Sequence, residues 1–410
     1  MIPSSSSTEP SRAASPGKRY RLAALISHPI QYVVPLLRRL SAHPRVDLTV
    51  FFMTDTGLRA REIKGWGQAI QWDVPLLDGY RHEILPNRSP RPDGLRPLSV
   101  FNPAILPRLA TGGFDAVLMH GYASLTEMMA MPAARLLGLP VLFWGDVLID
   151  SPLDTARFPI VREAFRRAIG KGVSAALALS TQARRYYQRY GVPDDRVFWA
   201  PLCVDGAFWA RERAARRGKR RELLTAMGAD PLLPVILYVA HMRPNKRPKD
   251  VVMALERMKT KASLVMVGSG PMFDEVKAYV EERGLDRVRL VGTKNLSELP
   301  DCYAMGDVFV LPSSAGEITP LVVQEAMWSQ LPVVISDAVP SIIDFVREGE
   351  NGFTFPVGDV TALADRLDRV LEDPARQAAM AACSAEIIRA WDYEVAVAGM
   401  VEALDAVVPT

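Results

Sequence analysis

From Arg21 onward, short runs of aliphatic and β-branched residues alternate with longer segments whose apolar residues recur at helical spacing. This rhythm is typical of βα units on a parallel sheet, so it predicts an α/β chain. Few runs alternate polar and apolar residues, as expected for strands that are covered on both faces. Met272–Arg283 and Leu321–Ser329 are examples of the helical segments. The predicted strands are Leu22–Ser27, Val46–Met53, Ala116–His120, Pro140–Trp144, Ala175–Ser180, Val197–Ala200, Val235–Ala240, Ser263–Gly268, Val288–Gly292, Val308–Pro312, Pro332–Ser336 and Phe353–Pro356.

A chain of 410 residues is long enough for two domains of ordinary size. The segment RERAARRGKRRELLTAMG, between Asp205 and Pro234, is so rich in Arg and Lys that it predicts a solvated helix and linker. Residues 54–100 hold many Pro, Gly and Trp, which predicts a long irregular insertion over the cleft of the first domain. The predicted divisions are a disordered leader (1–19), a Rossmann-like domain (20–205), the linker (206–233), a second Rossmann-like domain (234–388) and a C-terminal helix that packs back on the first domain (389–410).

Composition excludes several classes of protein. Lys and Arg exceed Asp and Glu by only 49 to 46, too little to indicate nucleic-acid binding. Cys203, Cys302 and Cys383 lie far apart without metal-ligand spacing, which favours a reducing compartment over a disulfide framework. The Ser- and Pro-rich N-terminus lacks the apolar core of a signal peptide, and no apolar run reaches the length of a membrane span. We therefore expect a cytoplasmic protein, at most peripheral on the inner face of the membrane.

The most informative stretch is LPSSAGEITPLVVQEAMWSQLPVVISD, which begins at Leu311. After a buried strand and a loop, Thr319 reads as an N-cap and the following proline as the first helical residue. A helix that begins past the carboxyl end of a strand lies where open α/β sheets bind ligands, and the amides of Leu321 and Val322 would favour a diphosphate there. Carboxylates at such a site would accept hydrogen bonds from hydroxyl groups of the ligand.

Two acidic residues flank this helix start, Glu317 before it and Glu325 within it. Because they occupy different positions, one would accept hydrogen bonds from ribose hydroxyls while the other meets a sugar. The alternative is a surface-loop glutamate together with an ordinary helix glutamate.

Glu317 and Glu325, separated by seven residues and followed by LPVV, resemble the E-x7-E motif of retaining glycosyltransferases of family 4, which adopt the GT-B fold. Further segments resemble that family in the expected order over nearly all of residues 234–375. The resemblance implies two Rossmann-like domains facing across a cleft, with the acceptor on the N-terminal side and a nucleoside diphosphate sugar donor on the C-terminal side. It also implies that the protein needs neither a metal nor a cofactor. The matching segments are LVMVGSGP (264–271), Val288–Gly292, Leu299–Ser313 and EGENGFTFPVGD (348–359).

The resemblance also implies roles for single residues. In that family an Arg and a Lys hold the donor diphosphate within a pattern like G-R-L-x-P-x-K, where this chain reads AHMRPNK. Lys246 matches the lysine, while His241 stands in the usual arginine position, so Arg243 or a protonated His241 is left as the second positive partner. Gly268 lies in the family's Gly-x-Gly-Pro turn. Glu325 would bind the ribose and Glu317 would lie near the donor sugar. The alternative for the cations is a solvated basic loop.

The chain departs from the family at several glycines. Pro320, Gln330 and Pro340 stand where glycine is common, and Leu202-Cys203 replaces a usual Asn-Gly. Glycine normally lets a ligand or a turn approach the backbone. These departures indicate either an unusual donor or reduced activity.

The N-terminal half offers three groups of candidates. Ser27, His28 and Gln31 follow the first strand and would hold acceptor or donor phosphate, unless they cap and pack a helix. His120 resembles a cleft histidine that the family carries near the donor sugar; a buried histidine is the alternative. Trp144 and Asp146 end the next strand and would stack on a sugar ring and bond its hydroxyls, unless the tryptophan belongs to the core.

Seven basic residues lie on two helical segments of this half. They would contact anionic lipid beside a lipid-linked acceptor; the alternative is an ordinary solvated face. These residues are Arg162, Arg166, Arg167, Lys171, Arg184, Arg185 and Arg189.

The leading hypothesis is transfer of a hexosyl group from a nucleoside diphosphate donor to a hydroxyl of a glycan or lipid-linked acceptor, with retention, in cell-surface polysaccharide biosynthesis. One alternative is a GT-B-like protein that binds nucleotide sugars without turnover. Another is a sugar phosphate synthase or a nucleotide-sugar epimerising relative.

Overall fold

The computed structural model describes residues 18–58, 61–62, 69–70, 74–92, 98–145, 147, 159–314 and 317–409. Candidate residue Asp146 and most of the predicted leader lie outside the described residues, as do the side chains of residues 159–162.

The described strands, in chain order, are β1 (Tyr20–Ile26), β2 (Val46–Phe52), β3 (Arg61–Glu62), β4 (Ala69–Ile70), β5 (Arg81–Ile84), β6 (Ala116–Met119), β7 (Val141–Trp144), β8 (Ala175–Ala178), β9 (Val197–Trp199), β10 (Val235–Val239), β11 (Ser263–Val267), β12 (Val288–Leu290), β13 (Val308–Leu311), β14 (Val333–Ser336) and β15 (Gly352–Phe355). The described helices are α1 (Val34–Ala42), α2 (Ile105–Thr111), α3 (Leu125–Leu136), α4 (Pro159–Gly172), α5 (Thr181–Arg189), α6 (Gly206–Ala215), α7 (Arg220–Ala226), α8 (Pro248–Arg257), α9 (Phe273–Glu282), α10 (Leu299–Met305), α11 (Leu321–Trp328), α12 (Ile342–Phe345), α13 (Val360–Leu371), α14 (Pro374–Ile388) and α15 (Tyr393–Val407).

Two parallel sheets organise the chain, as the alternation of strands and helices predicts. The first has seven strands in the order β5-β2-β1-β6-β7-β8-β9, and the second has six in the order β12-β11-β10-β13-β14-β15. In both, the order reverses direction beside the first strand of the sheet, which is where open α/β sheets form a ligand crevice. The fold class is confirmed: two Rossmann-like α/β domains.

The central strand β10 shows why strands of the second sheet consist mainly of apolar residues. All five of its residues are buried. Ile236 and Tyr238 point to one face, in a core cluster with α8 and α13, while Val235, Leu237 and Val239 join a cluster that continues into the first domain. Burial on both faces removes the polar alternation that a half-exposed strand would need.

The prediction of an irregular insertion over residues 54–100 is partly wrong. Within it, β5 pairs in parallel with β2, with Thr49 opposite Arg81, and β3 pairs with β4. The strand β5 lies at the edge of the sheet and its sequence, RHEI, keeps mostly exposed polar side chains. An edge strand needs no aliphatic run, so the pattern that revealed the central strands was missing here.

The basic linker is also more than a solvated helix. Its helices α6 and α7 pack against α10, and α6 also packs against α11. Trp209 is 2% exposed and meets Tyr303 edge-on, with 5.1 Å between ring centroids. Arg216 pairs with Asp301, with Nε to Oδ1 at 2.6 Å. Other basic residues of the segment, such as Arg211, Arg217 and Arg221, are exposed, which is why the composition suggested solvent on all sides.

The last helix, α15, lies against the first domain, where it contacts α1, β8 and β9. The Tyr393 hydroxyl donates to the Tyr32 carbonyl at 2.7 Å, and Arg39 of α1 pairs with Glu394. The chain thus returns to its first domain and links it to the region around the cleft.

Candidate active site

A cavity of about 480 Å³ lies between the two domains. From the first domain it is lined by residues of the β1–α1 segment, including Gln31, Tyr32 and Arg38. From the second domain it is lined at the carboxyl ends of β10 and β11, by the loop after β12, and by the first turns of α11. Phe208 and Trp209 of the linker, Tyr393 of α15 and the segments Val74–Pro75 and Val204–Asp205 also line it.

The helix that faces this cavity, α11, begins one residue later than expected. Its N-cap is Pro320, with φ −76° and ψ 98°, and no side chain caps it. The assignment of Thr319 as N-cap is therefore wrong: the extended ψ of the proline delays the first helical residue to Leu321. Leu321 and Val322 both line the cavity, so the start of the helix does face it as predicted.

Glu325 also lines the cavity, one turn further along α11. Its Oε2 accepts a hydrogen bond from the Tyr303 hydroxyl at 2.7 Å. Burial raises the pKa of the Glu325 carboxyl to about 7, although the hydrogen bond from Tyr303 acts in the lowering direction. A carboxyl with this pKa changes its charge near neutral pH.

Lys246 and Glu317 form an ion pair, with side chains 19% and 13% exposed. Their loops are joined further by the Ser314 amide, which donates to the Asn245 carbonyl at 2.7 Å. Burial and the charge of Arg243 lower the pKa of the Lys246 ammonium to about 8. The pair itself is not part of the cavity wall, although His241 and Leu321, its neighbours along the chain, are.

The glycine turn after β11 brings two loops into contact. Gly268 has φ +126°, and a Cβ there would lie 2.0 Å from the Ala240 carbonyl oxygen. Gly270 has φ +146°, and its Cβ would lie 2.7 Å from the Met242 carbonyl oxygen. Only glycine permits this approach, which sets His241 and Gly268 side by side in the cavity wall.

The first-domain candidates divide into two groups. Gln31 lines the cavity. Its Oε1 is buried and has no hydrogen-bond partner among the described residues, so a hydrogen-bond donor group of a ligand would satisfy it. Ser27 and His28 bond each other, with Oγ and Nδ1 2.9 Å apart, and neither belongs to the cavity wall.

Trp144 is not available to stack on a sugar. It is 1% exposed, and its indole N–H donates to the Ala200 carbonyl at 3.0 Å. His120 packs against its ring, with centroids 4.8 Å apart. The proposed stacking role was wrong because a tryptophan at a strand end satisfies its N–H equally well inside the core.

The basic face is also smaller than the sequence suggested. Arg166 is 8% exposed, and its guanidinium lies over the rings of Tyr186 and Tyr190, 5.7 Å from each centroid. It packs α4 against α5 and is not part of a solvent-facing surface.

The sequence did not single out Tyr303, Trp209 or the loop Thr293–Leu296, which all belong to or support the cavity wall. Within the part of the chain that the structure describes, no three His, Cys, Asp or Glu side chains are grouped as metal ligands. In those same ranges, no helix has the length and apolar character needed to cross a bilayer.

Part of the chain is similar to a known family. Residues 222–386 match the family described as glycosyl transferases group 1. The chain is 29% identical to the alpha-D-kanosaminyltransferase of Streptomyces kanamyceticus over 59% of this chain and 62% of the relative. It is 31% identical to the sulfoquinovosyl transferase SQD2 of Arabidopsis thaliana over 41% of this chain and 32% of the relative. The chain therefore matches less than two thirds of either relative's length.

The crystal structure of Anabaena Alr3699/HepE in complex with UDP has the same fold, with a TM-score of 0.70 and 17% identity over 94% of this chain and 100% of the other. The matched segment contains Glu317 and the whole of α11, including Leu321 and Glu325, which line the cavity. Over residues 222–386 the chain is similar to the glycosyl transferases group 1, and the whole chain has the two-domain GT-B fold.

Proposed function

We propose that the chain is a retaining glycosyltransferase of family 4 that moves a hexosyl group from a nucleoside diphosphate sugar to a hydroxyl of a glycan or lipid-linked acceptor, in cell-surface polysaccharide biosynthesis. The observation that carries the proposal is that the start of α11 and Glu325 share one interdomain cavity, while Lys246 and Glu317 form an ion pair in loops that contribute His241 and lead to Leu321 in its wall. The Anabaena protein of the same fold was crystallised with UDP, which supports a nucleotide-containing ligand for this chain.

The donor would lie along the second domain. Glu325 accepts hydrogen bonds from the ribose hydroxyls, and the amides of Leu321 and Val322 face the diphosphate at the helix start. Lys246 supplies the positive charge. When the donor enters, its ammonium leaves the ion pair with Glu317 and pairs with the diphosphate. Glu317, released from Lys246, then accepts from hydroxyls of the transferred sugar.

The chemistry requires no protein nucleophile. The bond between the anomeric carbon and the diphosphate oxygen breaks, and its electron pair leaves with the diphosphate. The acceptor oxygen forms the new bond on the same face of the sugar, and its proton passes to the departing phosphate oxygen. Because negative charge grows on the leaving group, fixed amides and a lysine lower the barrier.

Replacing Glu317 by alanine is expected to lower kcat more than tenfold, because the transferred sugar loses a hydrogen-bond partner. The assay follows transfer and donor hydrolysis over a panel of UDP- and GDP-sugars with lipid-linked, glycan and soluble sugar-phosphate acceptors, and NMR assigns the anomer of the product. Binding of a nucleotide sugar without any product would favour the non-catalytic alternative. An inverted product would refute retention.

Nucleoside diphosphate binding is expected to weaken as pH falls below about 7. Above the raised pKa of Glu325 the carboxylate accepts from both ribose hydroxyls, whereas below it the protonated carboxyl loses part of that capacity. Titration calorimetry over a range of pH gives the profile, with Glu325→Gln as the control. The amide side chain of that variant does not titrate, so an identical acid limb in the variant would assign the limb to the ligand phosphate.

We further propose peripheral contact with an anionic membrane through the ends of α3 and α4. Leu136 and Leu137 are 89% and 45% exposed there, and the Arg135 guanidinium donates to the Lys171 carbonyl at 3.0 Å, joining the two helix ends. Exposed apolar and basic side chains together match a surface of anionic lipid. Phe165 is exposed on the same helix α4.

Sedimentation with vesicles of phosphatidylglycerol and phosphatidylcholine at moderate salt tests this contact. Leu136→Glu should reduce the pelleted fraction severalfold, because it removes apolar area and adds repulsion. Leu232→Glu changes a residue of similar exposure, 82%, in the linker region and should leave pelleting unchanged. Equal pelleting of both variants would place the contact elsewhere, and no pelleting of the parent protein would remove the idea.

A further inference from the structure

Tyr303 lies behind the cavity and is almost completely buried, at 1% exposure. It belongs to α10, and its hydroxyl reaches α11 at two points: Glu325 Oε2 at 2.7 Å and the Val322 carbonyl at 3.2 Å. Both of these residues line the cavity. A single hydroxyl therefore joins the buried side of the second domain to the ligand-facing turn of α11.

The ring of Tyr303 is itself held in place. Trp209 meets it edge-on at 5.1 Å, and Phe309 lies on it at 6.2 Å with an interplanar angle of 34°. Burial and the nearby Glu325 charge raise the pKa of the Tyr303 hydroxyl well above its ordinary value. The hydroxyl accordingly keeps its proton and donates it wherever the carboxylate is ionised.

The Glu325 side chain depends on this donor for its orientation. Among the described residues, Tyr303 is the group that hydrogen-bonds its carboxylate. A glutamate side chain without a partner samples many rotamers. Restricting it to one rotamer costs conformational entropy, and this cost would weaken ligand binding if it arose only on binding. A hydrogen bond already made to Oε2 fixes the carboxylate before a ligand arrives, so that the ligand meets an ordered acceptor.

We propose that Tyr303 is a positioning residue for the donor: its hydroxyl orients the Glu325 carboxylate toward the ribose hydroxyls. This inference rests on the proposed function, in which Glu325 binds the ribose. It predicts that Tyr303 contributes to nucleotide affinity only when the ribose hydroxyls are present.

Tyr303→Phe keeps the ring and removes the hydroxyl. Titration calorimetry with UDP or GDP, whichever binds the parent protein, and with its 2′,3′-dideoxy analogue gives the comparison. We expect the ribonucleotide Kd to rise about fivefold to tenfold, in line with the cost of ordering one side chain on binding, and the dideoxy Kd to stay within about twofold. In turnover, the donor KM should rise while kcat changes little.

Tyr279→Phe is a matched control. Its hydroxyl also donates to a glutamate, Glu256, at 2.7 Å, but neither residue belongs to the cavity wall. This variant should leave both Kd values unchanged. The double variant Tyr303→Phe with Glu325→Gln should bind no more weakly than Glu325→Gln alone, because two residues that act through one contact are not additive.

The outcomes separate the two proposals. If the parent protein binds the ribonucleotide and the dideoxy analogue equally, the role of Glu325 fails and the inference about Tyr303 fails with it. If the parent protein discriminates and Tyr303→Phe discriminates just as well, only the inference about Tyr303 is refuted. If Tyr303→Phe weakens both ligands equally, its effect is general packing, which also refutes the inference.

Discussion

Replacing Lys246 by methionine is expected to lower kcat/KM for the donor about 100-fold, the loss typical of one preorganised electrostatic partner of a leaving group. The ammonium is held in a partly buried ion pair with Glu317, next to residues of the cavity wall. Methionine keeps most of the aliphatic stem and removes the charge. Without that charge the departing diphosphate has the amides of Leu321 and Val322 but no lysine beside them.

Lys249→Met is the control, three residues later in the first turn of α8. Lys249 pairs with Glu275, with Nζ to Oε1 at 3.3 Å, and it lies over the ring of Tyr279 on the outer side of the domain. Its replacement should change kcat/KM less than about twofold, as for an ordinary surface ion pair. Steady-state kinetics and a thermal melt on both variants decide the matter. Comparable losses in both would mean that positive charge in this part of the chain acts generally and that Lys246 has no special position.

Most of the fold could be predicted because its strands are buried on both faces. Strands such as β10 and β13 consist of aliphatic and aromatic residues only, and the prediction placed their bounds within a residue or two. The exposed edge strand β5 carried no such signal. Periodicity therefore finds the centre of a parallel sheet more readily than its edge.

The site was predictable where chain order and sheet topology determine it. Glu325 and Leu321 face the cavity because a helix that follows a strand begins at the ligand-binding edge of the sheet. Tyr303 and Trp209 were missed because they belong to other helices. They lie far from Glu325 in the sequence, and local sequence patterns do not show contacts between distant residues. Trp144 was misassigned because the strand end gives its position but not the direction of its ring.

Backbone conformation explains one departure from the family pattern. Gln330, which stands where glycine is common, has φ +61°, so the turn after α11 keeps the left-handed conformation that glycine would adopt freely. A side chain in that region costs about 1 kcal/mol. Its Oε1 accepts from the Arg213 guanidinium at 2.9 Å, which offsets part of that cost and joins the turn to α6. The replaced glycine therefore leaves the path of the chain unchanged.

Gly399→Val is expected to have the largest effect on stability, a loss of about 3 kcal/mol in the free energy of unfolding. Gly399 lies in the middle of α15, where a Cβ would stand 1.8 Å from the Trp199 carbonyl oxygen of β9. Backbone lies on both sides of this contact, so no flexible side chain can move aside. The helix would have to separate from β9, and with it Tyr393, whose ring is part of the cavity wall.

Ala398→Val places the same side chain one residue earlier, at an exposed position of α15, and isolates the contact from helix propensity. Propensity alone would make Gly399→Val slightly stabilising and Ala398→Val slightly destabilising, each by roughly 0.5 kcal/mol, so packing and propensity predict opposite orders of stability. Chemical denaturation measures the two free energies, and donor KM reports on the cavity. If Gly399→Val proved the more stable of the two, α15 would not need its close approach to β9, and the C-terminal helix would not help to shape the cleft.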